Sequence, residues 1–432
     1  MIKRIILVSA ALVVLFWPVS AQDVCRLITL RTDSLTGIYA KGDTVRVFAE
    51  VTTIPDKPIS VNVFLNGYRE NSLSRYTPDF RLGENLIYEG VFDEPAQVMV
   101  SLFAEGSDER LCGFLVAPEE FKPGFEEPED LLDFWNREIS EMRKLPMEST
   151  LTPVEVDSAR AADYEAFAVE VNCVGPSPVR GYMAKPKVAE PHSLPIVIFL
   201  HAAGTTPGTQ SHVSTATDFA SYGALAIDIN AHGFLNGQPD KYYYDLYAGE
   251  LKDYSKREPV SREDYYFKWM FLRAQRALDY MTANPLWDGK HIMVIGTSQG
   301  GAQSAFLAGI DSRVTTAVLT VPAMIDQGAF LAGRFPSWPK AVLKYPEKAD
   351  VCRYFDPALL LKYSKADIWC EVGFYDLTCP PANVCAGVNQ APGHKVIVGA
   401  QRGHTMRDQI TTEWHRPILM NQIEFTRNQL RK

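Results

Sequence analysis

The chain lacks most of what marks nucleic-acid, membrane and metal proteins. Its 43 Lys and Arg against 52 Asp and Glu give a net charge of −9. No basic cluster interrupts that balance, which argues against nucleic acid as a partner. Seven cysteines include no C-x-x-C pair and no Cys–His spacing of metal type, so no zinc module is written here. There is no internal repeat and no low-complexity tract, which excludes repeat arrays and disordered linkers. The apolar run 5–17 is too short to span a bilayer.

What stands at that end instead is a signal-peptide pattern: Lys3 and Arg4, the apolar run, then Val19-Ser-Ala21 ahead of Gln22. Residues 1–21 are expected to be removed, giving an exported protein, periplasmic or secreted. Cys25 lies beyond the cleavage point rather than directly after it, so no membrane anchor is expected. In an oxidising compartment Cys25 and Cys112 are placed to bridge the N-terminal region. Cys173, Cys352, Cys370, Cys379 and Cys385 read as buried thiols.

Two regions differ in their periodicity. Across 22–120, Val45, Val47, Ala49 and Val51 alternate with polar neighbours, as do Ile59, Val61, Val63 and Leu65, and Val98, Val100 and Leu102. Turn residues separate these runs at short intervals, the pattern of a small β-sandwich-like accessory domain. It holds no cluster of His, Cys or paired carboxylates, so both a carbohydrate-binding role and a structural one stay open. A Pro- and Glu-rich connector, Pro118-Glu-Glu-Phe-Lys-Pro-Gly-Phe-Glu-Glu-Pro128, closes it, and 131–145 then reads as an amphipathic helix.

Within 121–432, short apolar runs at 196–200, 224–229, 292–295, 317–321, 368–372 and 396–398 alternate with helical stretches. Strands apolar on both faces imply a mainly parallel sheet covered by helices. Such sheets carry their sites at the strands' carboxyl ends. One strand runs into Gly296-Thr-Ser298-Gln-Gly300, with Gly301 and a run of small residues after it. Glycines flank a serine in this way where a strand turns sharply into a helix and leaves no room for neighbouring side chains, the nucleophile elbow.

A serine nucleophile needs a base and a group to orient that base. Chain order Ser, Asp, His with each partner just past a strand selects Asp376, in Gly373-Phe-Tyr-Asp376, and His404, in Gly399-Ala-Gln-Arg-Gly-His404. Asp326, after an earlier strand, is the competing acid. The oxyanion of the tetrahedral intermediate wants two backbone N–H groups. Gln299 supplies one, and Ala203, in the strand-exit loop His201-Ala-Ala-Gly204, is the candidate for the other.

From about residue 128 onward the chain resembles the acetyl xylan esterase and cephalosporin C deacetylase family of α/β-hydrolases. The resemblance rests on Asp133-Phe-Trp135, Gly181-Tyr-Met-Ala-Lys-Pro186, Phe199-Leu-His201, Gly296-Thr-Ser-Gln-Gly-Gly301, Tyr354-Phe-Asp356, Gly373-Phe-Tyr-Asp-Leu-Thr-Cys-Pro-Pro381 and His404. It implies an α/β-hydrolase fold, with Ser298, Asp376 and His404 as triad and the Gln299 and Ala203 amides as oxyanion donors. It also implies removal of acetyl groups from carbohydrate or small esters, with no metal or organic cofactor. The chain departs from that family in His201-Ala-Ala for His-Gly-Tyr, Asn230-Ala-His-Gly233 for Arg-Gly-Gln-Gly, and Thr405 for Glu. Residues 235–264, with Tyr242-Tyr-Tyr244, Tyr247 and Tyr254, look like an insertion. Such tyrosines either stack on sugar rings or pack in a cap or a homo-oligomer contact. His232 is a weak site candidate, having no evident partner. Two rival readings are a hydrolase of a bulkier ester or peptide bond, and a catalytically silent carbohydrate-binding protein.

Overall fold

The structure, a computed structural model, describes residues 27–205, 207–405 and 412–431. The signal-peptide segment and Cys25 lie outside them. Cys112 is a buried free thiol, and Cys173, expected to be buried, is only partly so.

The strands, in chain order, are β1 Ile28–Thr32, β2 Ile38–Tyr39, β3 Thr44–Val51, β4 Ser60–Leu65, β5 Tyr68–Tyr76, β6 Gly83–Val91, β7 Ala96–Phe103 and β8 Arg110–Val116 in the N-terminal region. They form two sheets, β1-β3-β6 and β2-β8-β7-β4-β5. The alternation seen in the sequence is the packing itself: Val45, Val47, Val61, Val63, Val98, Val100 and Phe114 meet between the sheets in one apolar core. Each such valine contributes about 1.5–3 kcal/mol by leaving water. β7, the central strand of the five, is buried along seven of its eight positions. Its second face is covered too.

What covers that face is the larger part of the chain. After α1 (Leu131–Lys144) come β9 Ser149–Val154, β10 Tyr164–Val171, β11 Val179–Pro186, β12 Leu194–Leu200, β13 Leu225–Ile229, β14 Trp287–Thr297, β15 Thr316–Thr320, β16 Asp367–Gly373 and β17 Lys395–Ala400. They build one nine-stranded sheet of order β17-β16-β15-β14-β12-β13-β11-β10-β9. The six apolar runs are its parallel part, with β13, β12, β14, β15, β16 and β17 paired in parallel. β11 joins β13 antiparallel and carries β10 and β9 outward, so the sheet is mixed. β9 and β10 are not among the sequence runs because β9 is exposed almost throughout and β10 alternates only loosely.

Both faces of the sheet are covered. Ile196, Ile198 and Leu200 of β12 belong to the core shared with Phe271 and Leu278 of α2 (Tyr266–Thr282) and with Phe306 of α3 (Gln299–Ile310). Val197, between them, joins Trp369 in the core reached by Phe219 and, from the helix Thr412–Leu430, by Phe425. Among the described residues no helix is long and apolar enough to cross a membrane.

Candidate active site

Ser298 sits between β14 and α3 with φ 54° and ψ −115°, a left-handed backbone that a non-glycine residue adopts only at a cost. The surroundings hold it there. Ser298 N–H donates to the Thr320 carbonyl at 2.9 Å, and its own carbonyl accepts from Ala302 at 3.0 Å and Ala323 at 2.9 Å. The glycines are steric requirements: a Cβ on Gly300 would stand 1.9 Å from the Leu200 carbonyl oxygen, and one on Gly296 2.3 Å from the Gly300 carbonyl carbon. The small residues that follow are explained by α3, which is buried on all sides from Gln299 to Gly309.

The structure brings three of the sequence candidates into one hydrogen-bonded row. His404 Nε2 is 2.9 Å from Ser298 Oγ, and His404 Nδ1 is 2.8 Å from Asp376 Oδ2. Asp376 is fully buried, while the His404 side chain stays 22% exposed, so the row runs from the interior toward solvent. Asp376 Oδ1 accepts the N–H groups of Thr378 at 2.7 Å and Cys379 at 2.9 Å, which leaves Oδ2 to orient the imidazole. In that orientation the imidazole can take the hydroxyl proton, and a buried carboxylate stabilises the imidazolium that results.

The His404 loop has its own support, which sequence reasoning missed. Arg402 is buried, pairs with Glu371 at 2.8 Å and donates to the His404 carbonyl at 2.7 Å. Neither residue carries a motif. Their only sequence signal is a glutamate inside an otherwise apolar strand.

Asp326 does not compete for the imidazole. Its carboxylate accepts from Arg334 at 2.6 Å and from the Gly124 N–H at 2.8 Å, and Asp356 accepts its backbone N–H. Burial raises its pKa, an effect the Arg334 charge opposes.

The Gln299 side chain is buried, and Tyr254 donates to its Oε1 at 2.6 Å. Ala203 is half-buried in the loop after β12. His201, at the start of that loop, is tied through Nε2 to Asp228 on β13, and Asp228 also accepts the His212 N–H at 3.0 Å.

The tyrosines of 235–264 divide. Tyr243 and Tyr254 are buried, whereas Tyr244 and Tyr247 are 54% and 58% exposed. His232 lies edge-on to Tyr254 at 4.5 Å and bonds Tyr266 Oη through Nδ1 at 2.6 Å. Burial pushes this imidazole down to about 3, so it is neutral at ordinary pH. It lines an open cavity of about 720 Å³ with Phe234, Arg257, Tyr266 and Trp269, to which Ser298, Asp376 and His404 contribute nothing.

Cys379 brings its sulfur to the same spot as the row. With Asp376 and His404 it places ligand-type atoms within 4.8 Å of one another. Burial, then the Asp376 charge, raises the thiol's pKa well above its usual value, so a soft divalent ion would have to displace that proton and break the His404–Asp376 bond.

Comparison with known proteins agrees with this architecture. A family model described as acetyl xylan esterase (AXE1) matches residues 115–329. The acetyl esterase Axe7A of Xylanibacter ruminicola is 28% identical over 305 residues, covering 69% of this chain and 68% of the relative. An acetyl xylan esterase structure from Paenibacillus sp. superposes with a TM-score of 0.59 at 22% identity, over 71% of this chain and 98% of its own. One from Thermoanaerobacterium sp. gives 0.57 at 19%, over 71% and 97%. Elbow, sheet order and relatives coincide: residues 115–329 match the acetyl xylan esterase family, and the fold is that of the α/β-hydrolases.

Proposed function

We propose that this esterase removes acetyl groups from acetylated carbohydrate, of the xylan type, or from related small esters, through Ser298, His404 and Asp376. Ser298 Oγ attacks the ester carbonyl while His404 takes its proton. Asp376 holds the ring and stabilises its charge. The Gln299 and Ala203 amides receive the oxyanion, and His404 returns the proton to the departing alkoxide. Water then repeats the sequence on the acetyl-enzyme. The observation that carries the reading is the continuous row Ser298–His404–Asp376, with both bonds at or below 2.9 Å. The relatives named as acetyl and acetyl xylan esterases support the acyl group and the substrate class.

The same reading takes residues 1–21 as an export signal and 22–120 as an accessory unit ahead of the catalytic part. Ser298→Ala should fold normally and lose ester hydrolysis by about 10⁴-fold or more. Comparing kcat/KM for acetyl, butyryl and octanoyl esters, then measuring acetate release from acetylated xylan, tests the substrate. Acetyl should lead; faster octanoyl turnover would move the assignment to a longer-chain esterase.

A further inference from the structure

We propose that the five-stranded N-terminal sheet is a positioning element for the reaction, holding the Asp376 and His404 loops in register through Gln401 and Phe374. The proposal rests on the triad reading above.

The two loops leave neighbouring strands, β16 and β17, and both meet the sheet. Gln401, three residues before His404, makes a two-point bond to β8: its Nε2 donates to the Gly113 carbonyl at 2.7 Å, and its Oε1 accepts the Gly113 N–H at 3.0 Å. A glutamine amide here completes what another strand would have offered. Phe374, two residues before Asp376, is pressed just as closely. A Cβ on Gly113 would stand 2.7 Å from the Phe374 carbonyl oxygen, and one on Gly37 2.6 Å from its ring. Glycine at both positions is what lets the loop backbone lie against the sheet.

The contact extends on either side. Tyr375 packs with Phe64 and Met99 of the sheet, and Leu377 borders them. The same Tyr375 hydroxyl donates to the Gln401 carbonyl at 2.9 Å, tying the acid's loop to the base's loop at the point where both touch the sheet. Further along, the Ala382 N–H reaches Gln97 Oε1 at 3.4 Å. This also accounts for the burial of β7 on both faces: Val98, Val100 and Leu102 face the sandwich core, while Gln97 and Met99 meet the hydrolase. The family-model match begins at residue 115, within β8, so β1 to β7 lie outside it.

Positioning of this kind acts on turnover more than on binding, since a shift of about 1 Å in a reacting group costs up to about 100-fold in rate. The test compares four full-length variants on 4-nitrophenyl acetate, with active sites counted by a fluorophosphonate wherever Ser298 is present. Gly113→Ala, which pushes on Phe374, and Gln401→Ala, which releases the base loop, should each lower kcat about 10-fold or more with KM within about twofold. Val47→Ala, which empties part of the sandwich core away from these loops, should lower Tm but keep kcat per active site. Wild-type kcat in both Gly113→Ala and Gln401→Ala, alongside an inactive Ser298→Ala, overturns the proposal and spares the triad. An equal kcat loss in Val47→Ala also overturns it, because stability alone would then explain the effect. An active Ser298→Ala overturns the triad reading itself.

Discussion

The segments that leave β15 and β16 are neighbours at the same edge of the molecule, and each delivers a fully buried aspartate. Asp376 spends one oxygen on two backbone N–H groups and the other on an imidazole that remains partly exposed. Asp326 spends both on partners that never leave the interior, a guanidinium and a backbone N–H, with Asp356 close beside it. Location at a strand's carboxyl end is therefore permissive and not decisive. On the proposed mechanism, what separates a chemical carboxylate from an architectural one is whether its partner can move a proton to something outside.

That contrast is broken most directly by Asp376→Asn. Turnover should fall about 10⁴-fold, as expected when an amide replaces the orienting carboxylate, with Tm nearly unchanged. Steady-state kinetics beside a thermal melt decides it, and a large Tm loss at intact kcat would reverse the two roles. Asp326→Asn should do the opposite. Leaving Arg334 buried without its counter-charge costs about 3 to 5 kcal/mol of stability, read by urea unfolding, while kcat per titrated site stays within a few-fold of wild type. A strong kcat loss at unchanged stability would place the acid after β15 instead.

The smallest effect concerns pH. Burial, and then the Asp326 charge, raise the pKa of Asp356, and burial raises that of Asp326. Carboxyls that hold protons more tightly when folded contribute stability that is full below about pH 4, the ordinary carboxylate value, and is lost as pH climbs toward the raised values. Tm should accordingly drift down by a few °C between about pH 5 and pH 8. In Asp326→Asn the slope should flatten, because the charge that helps raise Asp356 is gone. An unchanged slope would mean the two carboxyls do not sense one another.

Legibility followed the range of the interaction. Ser298 was readable because the elbow is a local steric problem whose solution, glycine on both sides, is written within five residues. Asp376 and His404 followed from chain order, and the six parallel strands from their unbroken apolar runs. β9 was not readable, since Ser149–Val154 is an exposed edge with no buried face to imprint a period. The Arg402–Glu371 pair and the Gln401–Gly113 bond left no motif, because each joins residues that only the finished fold makes neighbours. The tyrosine-rich segment was ambiguous for another reason. Tyr243 and Tyr254 pack, Tyr244 and Tyr247 do not, and a cluster of one residue type hides that division.

The bond between Gly113 and Gln401 closes a loop of 288 residues. On a ribosome adding about 5–20 residues per second, Gly113 emerges on the order of tens of seconds before its partner exists. Throughout that interval the sheet presents Phe64 and Met99 to whatever surrounds the nascent chain, a sticky surface awaiting its cover. On the proposed mechanism the order of synthesis thus grants activity late, because the loop that carries His404 is among the last segments made.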